Sequence, residues 1–189
     1  MINGPMTQSR QQPRAVFLLG FMGAGKTSVG RALARRLQWR FVDLDHLIEN
    51  QEGRTIADIF ARSGEDSFRR LETAALKNLL SEIDHGPPSV VALGGGASLQ
   101  AENAAMLAAF GSPQVFLDAP FEVVRRRCLE NLATRPLLRE DEPARLLYET
   151  RRPHYLKAQY RVDTASCTAE QAAADIALVL ALEPAGGDR

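Results

Sequence analysis

Cysteine is nearly absent from this 189-residue chain: Cys128 and Cys167 are its two, far apart and without a C-x-x-C or zinc-type spacing. The pattern fits a reducing compartment, where both thiols are expected to serve as small buried hydrophobes, Cys128 on a helix. An excess of charge is also missing. Lysine plus arginine and aspartate plus glutamate each total 23, so no global field draws the chain to nucleic acid or anionic lipid, and any preference for anions must come from local clusters. No stretch approaches the roughly 18 consecutive apolar residues of a membrane span. The first fourteen residues, polar and interrupted by Gly4, Pro5 and Pro13, lack the apolar core of a signal peptide. These absences lead to the expectation of a cytoplasmic protein with neither membrane nor nucleic-acid partner, a monomer by default. Internal repeats and low-complexity segments are lacking too.

What is present is enough for one globular domain: 45% of residues are hydrophobic and 24% charged. The domain is expected over residues 14–183, between tails at 1–13 and 184–189. Apolar runs of strand length recur at 15–20, 40–43, 89–93, 114–118 and 160–163, with helical patterns between them. Such alternation predicts βαβ units closing into a parallel sheet covered on both faces, with ligands bound beyond the carboxyl ends of the strands. Over 26–37 the helix is predicted from Val29, Leu33 and Leu37 at four-residue steps, with Arg31, Arg35 and Arg36 turned to solvent. The stretch from Glu65 to Ile83 repeats the pattern through Phe68, Leu71, Ala75 and Leu79, and Pro87-Pro88 ends it.

The strongest local signal follows the first strand. Gly20-Phe21-Met22-Gly23-Ala24-Gly25-Lys26-Thr27 is a complete G-x-x-x-x-G-K-[ST] loop between a strand and a helix. Its glycines permit backbone conformations that turn successive N–H groups toward phosphate oxygens at a helix N-terminus. Lys26 would reach the β- and γ-phosphates, Thr27 would place its hydroxyl on Mg²⁺, and Ser28 continues the candidate nucleotide site.

Two carboxylates follow the second strand in Phe41-Val42-Asp43-Leu44-Asp45, and alternation along an extended chain predicts that both point the same way beside the phosphate loop. One would hold hydrated Mg²⁺ through water, and the other would accept a proton from an attacking hydroxyl. A helix N-cap is an alternative account of Asp45. The third strand ends in Gly94-Gly95-Gly96, which offers a substrate access to backbone N–H groups. Between 131 and 143 the chain loses helical periodicity and carries Arg135 before Pro136; this is expected to be a mobile lid that brings positive charge onto a transferring phosphoryl group, or else an ordinary solvated connection. Separate guanidiniums near the strand ends would clamp a nucleotide and a small anionic acceptor, and Arg69, Arg135 and Arg151 are candidates that sequence alone does not single out from the other arginines.

Taken together with Phe68-Arg69, Arg135-Pro136-Leu137-Leu138 and Arg151-Arg152-Pro153-His154-Tyr155, these motifs closely resemble the shikimate kinase family over about residues 15–180. The resemblance implies a three-layer α/β/α sandwich with a five-stranded parallel sheet, of the nucleoside monophosphate kinase-like phosphate-loop type. It implies Mg²⁺-dependent transfer of the ATP γ-phosphoryl group to the 3-hydroxyl of shikimate. Lys26, Asp45 and Arg135 would then be catalytic, and Gly23, Ala24, Gly25, Lys26, Thr27, Ser28 and Arg135 would bind ATP. Asp45, Arg69, Gly94, Gly95, Gly96 and Arg151 would bind shikimate, with Thr27 on the metal and Asp43 on it through water. The segment between Arg125-Arg126-Arg127 and Arg135 is a residue longer than the family's spacing, which leaves Arg126 and Arg127 as alternatives for stacking on adenine. Another small-molecule kinase, such as a gluconate kinase, and a nucleotide-binding module without chemistry are the rival readings.

Overall fold

A computed structural model of the protein describes residues 12–129 and 141–184. Residues 1–11 of the expected tail, residue 130, 131–140 of the expected lid with Arg135, and 185–189 lie outside the described residues, whereas 141–143, expected to end the lid, begin a helix instead.

The order of elements is β1 (Ala15–Leu19), α1 (Lys26–Leu37), β2 (Arg40–Asp43), α2 (Leu44–Glu52), α3 (Ile56–His85), β3 (Ser89–Ala92), a 3₁₀ turn (Ala97–Leu99), α4 (Ala101–Phe110), β4 (Gln114–Asp118), α5 (Phe121–Leu129), α6 (Asp141–Tyr155), β5 (Tyr160–Asp163) and α7 (Ala169–Val179). All strand pairings are parallel, in the order β2-β3-β1-β4-β5, with Val16 opposite Val90 and Leu18 opposite both Ala92 and Val115. Every residue of β1 and β3 is buried, as a sheet covered on both faces requires. Right-handed crossovers place the helices. The β1-to-β2 connection runs one way along the sheet and the later connections run the other, so α1 lies on one face and α3 and α4 on the opposite one. Accordingly α1 packs against α7, and α3 against α4. The chain leaves β1 in one direction and β4, its neighbour, in the other, and the loop after β1 occupies this switch point. A Cβ on Gly20 there would lie 2.7 Å from the Leu117 carbonyl oxygen, so only glycine lets the loop pass so close to β4.

The predicted helices form with the predicted faces inward. Leu33 and Leu37 are fully buried, whereas Arg31, Arg35 and Arg36 are exposed. In α3 the helix breaks at Gly64 (φ 77°, ψ 172°) and restarts at Glu65, where the sequence pattern begins. Its last turn is closed from afar: Arg14 Nη2 donates to the carbonyls of Ile83 (3.0 Å) and Gly86 (2.6 Å), which the helix geometry leaves unpaired. Cys128 is buried on α5 as expected. Cys167 is not: it is half-exposed, and its thiol donates to the Asp163 carbonyl at 3.2 Å.

Candidate active site

The phosphate loop joins β1 to α1 and is built on its main chain. Gly23 (φ 80°) and Gly25 (φ 99°) take left-handed conformations, and Gly25 is the N-cap of α1. The first backbone bond of the helix runs from Val29 N to Gly25 O at 2.8 Å, and a glycine supplies no side-chain cap. The N–H groups of Lys26, Thr27 and Ser28 therefore have no intrahelical acceptor and mark an anion site at the positive end of the helix dipole. The Lys26 ammonium folds over the loop and donates to Gly20 O (2.8 Å) and Phe21 O (3.2 Å). Beneath, Gly23 has no room for a side chain, since a Cβ would lie 2.6 Å from both Cys128 Sγ and Val124 O. The buried Thr164, just after β5, donates to Ala24 O (3.0 Å) and ties the loop to the far edge of the sheet.

The Thr27 hydroxyl donates to Asp43 Oδ2 at 2.7 Å. This pairing corrects the extended-chain account of the two aspartates. The strand ends at Asp43, which is itself the N-cap of α2, and Asp45 lies in the helix's first turn. Asp43 makes no cap bond with its side chain, because its carboxylate is engaged with Thr27. The helical turn, not strand alternation, brings Asp45 back to the same cleft. Burial pushes the Asp45 carboxyl above its ordinary range, opposed by Lys26 and reinforced by Asp43. Among the described residues no group of three or more His, Cys, Asp or Glu side chains stands ready to hold a metal. A hydroxyl and one carboxylate are a donor set for a hard cation that keeps waters and takes its other ligands from phosphates, as Mg²⁺ does.

Across the cleft, the turn after β3 draws three elements together. A Cβ on Gly94 would lie 2.6 Å from Asp45 Oδ1 and 2.7 Å from Glu72 Oε1. On Gly95 it would meet Arg151 Nη1 at 3.2 Å, and on Gly96 Arg69 Nη1 at 2.5 Å. Consecutive glycines thus pack against an aspartate from α2, an arginine from α6 and an arginine from α3. The Tyr155 hydroxyl donates to Gly95 O, and burial pushes its phenol up to about 12, so it remains a donor at every ordinary pH. Arg69 is held by its own helix: Nη1 donates to Glu72 Oε2 (2.8 Å), while Nε and Nη2 reach Glu65 Oε1 (3.2 and 2.9 Å).

Residues 22–181 match the protein family described as shikimate kinase. The chain belongs to the shikimate kinase family. It is 42% identical over 174 residues to a shikimate kinase of Cereibacter sphaeroides, an alignment covering 90% of this chain and 84% of that protein. Among solved structures, a shikimate kinase from Acinetobacter baumannii in complex with shikimate is 39% identical, with a TM-score of 0.81 over 90% of this chain and 94% of that one. A gluconokinase from Sinorhizobium meliloti has a TM-score of 0.57 at 19% identity, covering 91% and 94% of the two chains, a likeness of fold alone.

Within this member of the family, the structure brings Lys26, Thr27, Asp43, Asp45, Arg69, Gly94, Gly95, Gly96 and Arg151 to one end of the sheet. Ser28 is exposed beside them, and Arg135 lies outside the described residues. Of the two arginines left open for adenine, Arg126 is exposed, whereas Arg127 is half-buried and donates to Thr164 O at 2.6 Å, facing the loop after β5. Sequence reasoning missed Glu72, fully buried beneath the turn, and Gln100, which donates to it. The spacing of three between Arg69 and Glu72 on a helix was an available signal for the first. It also missed Asp118, buried at the end of β4, whose carboxylate takes Arg152 (2.6 Å) and Arg161 (2.7 Å) and so fixes the end of α6 next to Arg151.

Proposed function

We propose that the chain transfers the γ-phosphoryl group of ATP to the 3-hydroxyl of shikimate, giving shikimate 3-phosphate and ADP. One observation carries this reading: the Gly94–Gly96 turn touches Asp45, Arg151 and Arg69 in the cleft where Asp43 holds the Thr27 hydroxyl of the phosphate loop. The acceptor's carboxylate suits the pair of guanidiniums, since charge-assisted, bidentate bonds from arginine recognise a planar acid. Its hydroxyls suit Asp45 and the backbone of Gly94, Gly95 and Gly96. Asp45, its proton affinity raised by burial and its carboxylate kept near Lys26, accepts the proton of the attacking hydroxyl.

Lys26, through its ammonium and its N–H, and the loop of Gly23, Ala24, Gly25, Thr27 and Ser28 hold the nucleotide's phosphates and spread the charge of a loose transition state, the Ala24 N–H closing the loop onto Phe21 O. Thr27, and Asp43 through water, would hold Mg²⁺, which would neutralise charge on the nucleotide's phosphates. Arg135 belongs to the same reading, as a lid arginine reaching the phosphates, and Arg127 as the side chain nearer the adenine. Residues 14–183 act as one domain, in a cytoplasmic monomer that engages neither membrane nor nucleic acid. Among the described residues no helix is long and apolar enough to cross a membrane.

The test is an ADP-release assay offering shikimate beside quinate, gluconate and nucleoside monophosphates. Acceptor-dependent release with shikimate above all others is expected; equal or greater release with gluconate or a nucleoside monophosphate overturns the assignment.

A further inference from the structure

We infer that Gln100 is a positioning residue for the acceptor's carboxylate, acting on Arg69 through the buried Glu72. Gln100 stands at the N-cap of α4, yet it makes no side-chain cap bond there. N-cap positions favour short polar side chains that return to the helix backbone, and this longer one goes elsewhere. Its Nε2 donates to Glu72 Oε2 at 2.7 Å, and its Oε1 accepts from the Thr73 hydroxyl at 3.4 Å. The same Glu72 oxygen accepts from Arg69 Nη1 at 2.8 Å.

Glu72 is fully buried, and its other oxygen, Oε1, has no hydrogen-bond partner. That oxygen faces the place where a Gly94 Cβ would sit, beside Asp45 Oδ1. The carboxylate is therefore anchored on one side only, by Arg69 and Gln100. Arg69 has a competing partner in the exposed Glu65 on its own helix. With Gln100 removed, Arg69 alone must hold a buried anion that has lost half its donors, and the guanidinium is freer to follow Glu65 away from Gly96. The distance from Gln100 to any acceptor atom is irrelevant to this action; what it sets is where Arg69 Nη1 stands.

The inference rests on Arg69 as an acceptor clamp, and the experiment separates the two. Steady-state constants are measured for Gln100→Leu, Arg69→Ala and the double variant, with shikimate and with its neutral methyl ester as acceptors. Gln100→Leu is expected to raise the KM for shikimate roughly five- to tenfold, the upper end of what one net hydrogen bond contributes, with kcat and the KM for ATP unchanged. The ester's KM should stay the same, and adding Gln100→Leu to Arg69→Ala should have no further effect. Gln100→Ala carries the same expectation should the leucine variant fail to fold. An unchanged shikimate KM in both Gln100 variants, an equal rise for acid and ester, or an additive effect in the double variant each overturns the role of Gln100. An unchanged shikimate KM in Arg69→Ala overturns the clamp itself.

Discussion

On the proposed function, the two halves of the cleft recognise their ligands by different means. The phosphate side is eight contiguous residues whose binding groups are mostly main-chain N–H, fixed by Gly23 and Gly25 in left-handed conformations at the start of α1. The acceptor side is made of side chains delivered by α2, α3 and α6 to a turn that has no side chains of its own. A backbone site is rigid once its strand and helix form, and it loses function by loss of the single cation or hydroxyl it carries. A side-chain site depends on how well each member is held from behind, so residues that never meet the ligand still matter there. Substitutions on the two sides should therefore fail in different ways.

The largest effect is expected at the junction. Lys26→Ala and Asp45→Asn remove a charge that acts on the reacting groups themselves, and each should lower kcat by about a hundredfold or more while the folded state survives. ADP release together with a thermal melt checks both parts. Near-normal turnover in either variant would remove that residue from the site and break the division between the halves.

Arg69→Ala comes next and should act on binding. Losing charge-assisted bonds of roughly 1.5–3 kcal/mol should raise the KM for shikimate by about 10- to 150-fold, with a much smaller change in the KM for ATP. Equal rises in both constants would show that the two halves are not separable. Gly94→Ala sharpens the contrast further. An added Cβ meets two carboxylate oxygens, one of them on Glu72, which Arg69 and Gln100 hold in place. Such overpacking costs about 1–3 kcal/mol, a fall in Tm of roughly 3–10 °C, and the shikimate KM should rise with it. An unaltered melting temperature would mean that Glu72 is free to move.

The same contrast explains what was legible from residues alone. A contiguous loop with glycines at fixed offsets leaves a local trace, and the five apolar runs predicted strands to within one residue at their ends. Arg69 and Arg151, by contrast, are two among many arginines, and only the resemblance to a family chose them. Glu72 and Gln100 were missed for a physical reason: apart from its spacing from Arg69 the first reads as a solvent-facing helix charge, and the second reads as a polar residue before a helix, until tertiary packing buries Glu72 beneath Gly94 and turns Gln100 onto it. The two aspartates show a right destination reached by a wrong route. Asp43 and Asp45 do share the cleft, but the chain turns helical at Leu44, where Asp45 in the first turn suits the positive end of the helix dipole while Asp43, extended at the N-cap position, turns its carboxylate to Thr27.

The smallest effect is a control on whether being held matters in itself, or only being held where a ligand acts. Arg35 on α1 pairs with Glu170 on α7 at 3.4 Å, and its side chain is 74% exposed, so water competes for both partners. Exposed pairs of this kind contribute about 0–1 kcal/mol. Arg35→Ala should shift stability by less than about 0.5 kcal/mol and leave kcat and both KM values unchanged. Arg69 makes the same kind of contact with Glu65, again on the surface, and differs in its second contact, with a carboxylate that water does not reach. If Arg35→Ala altered the shikimate KM as Arg69→Ala should, proximity to the substrate would no longer explain either result, and the α1–α7 face would have to be coupled to the acceptor side through the sheet.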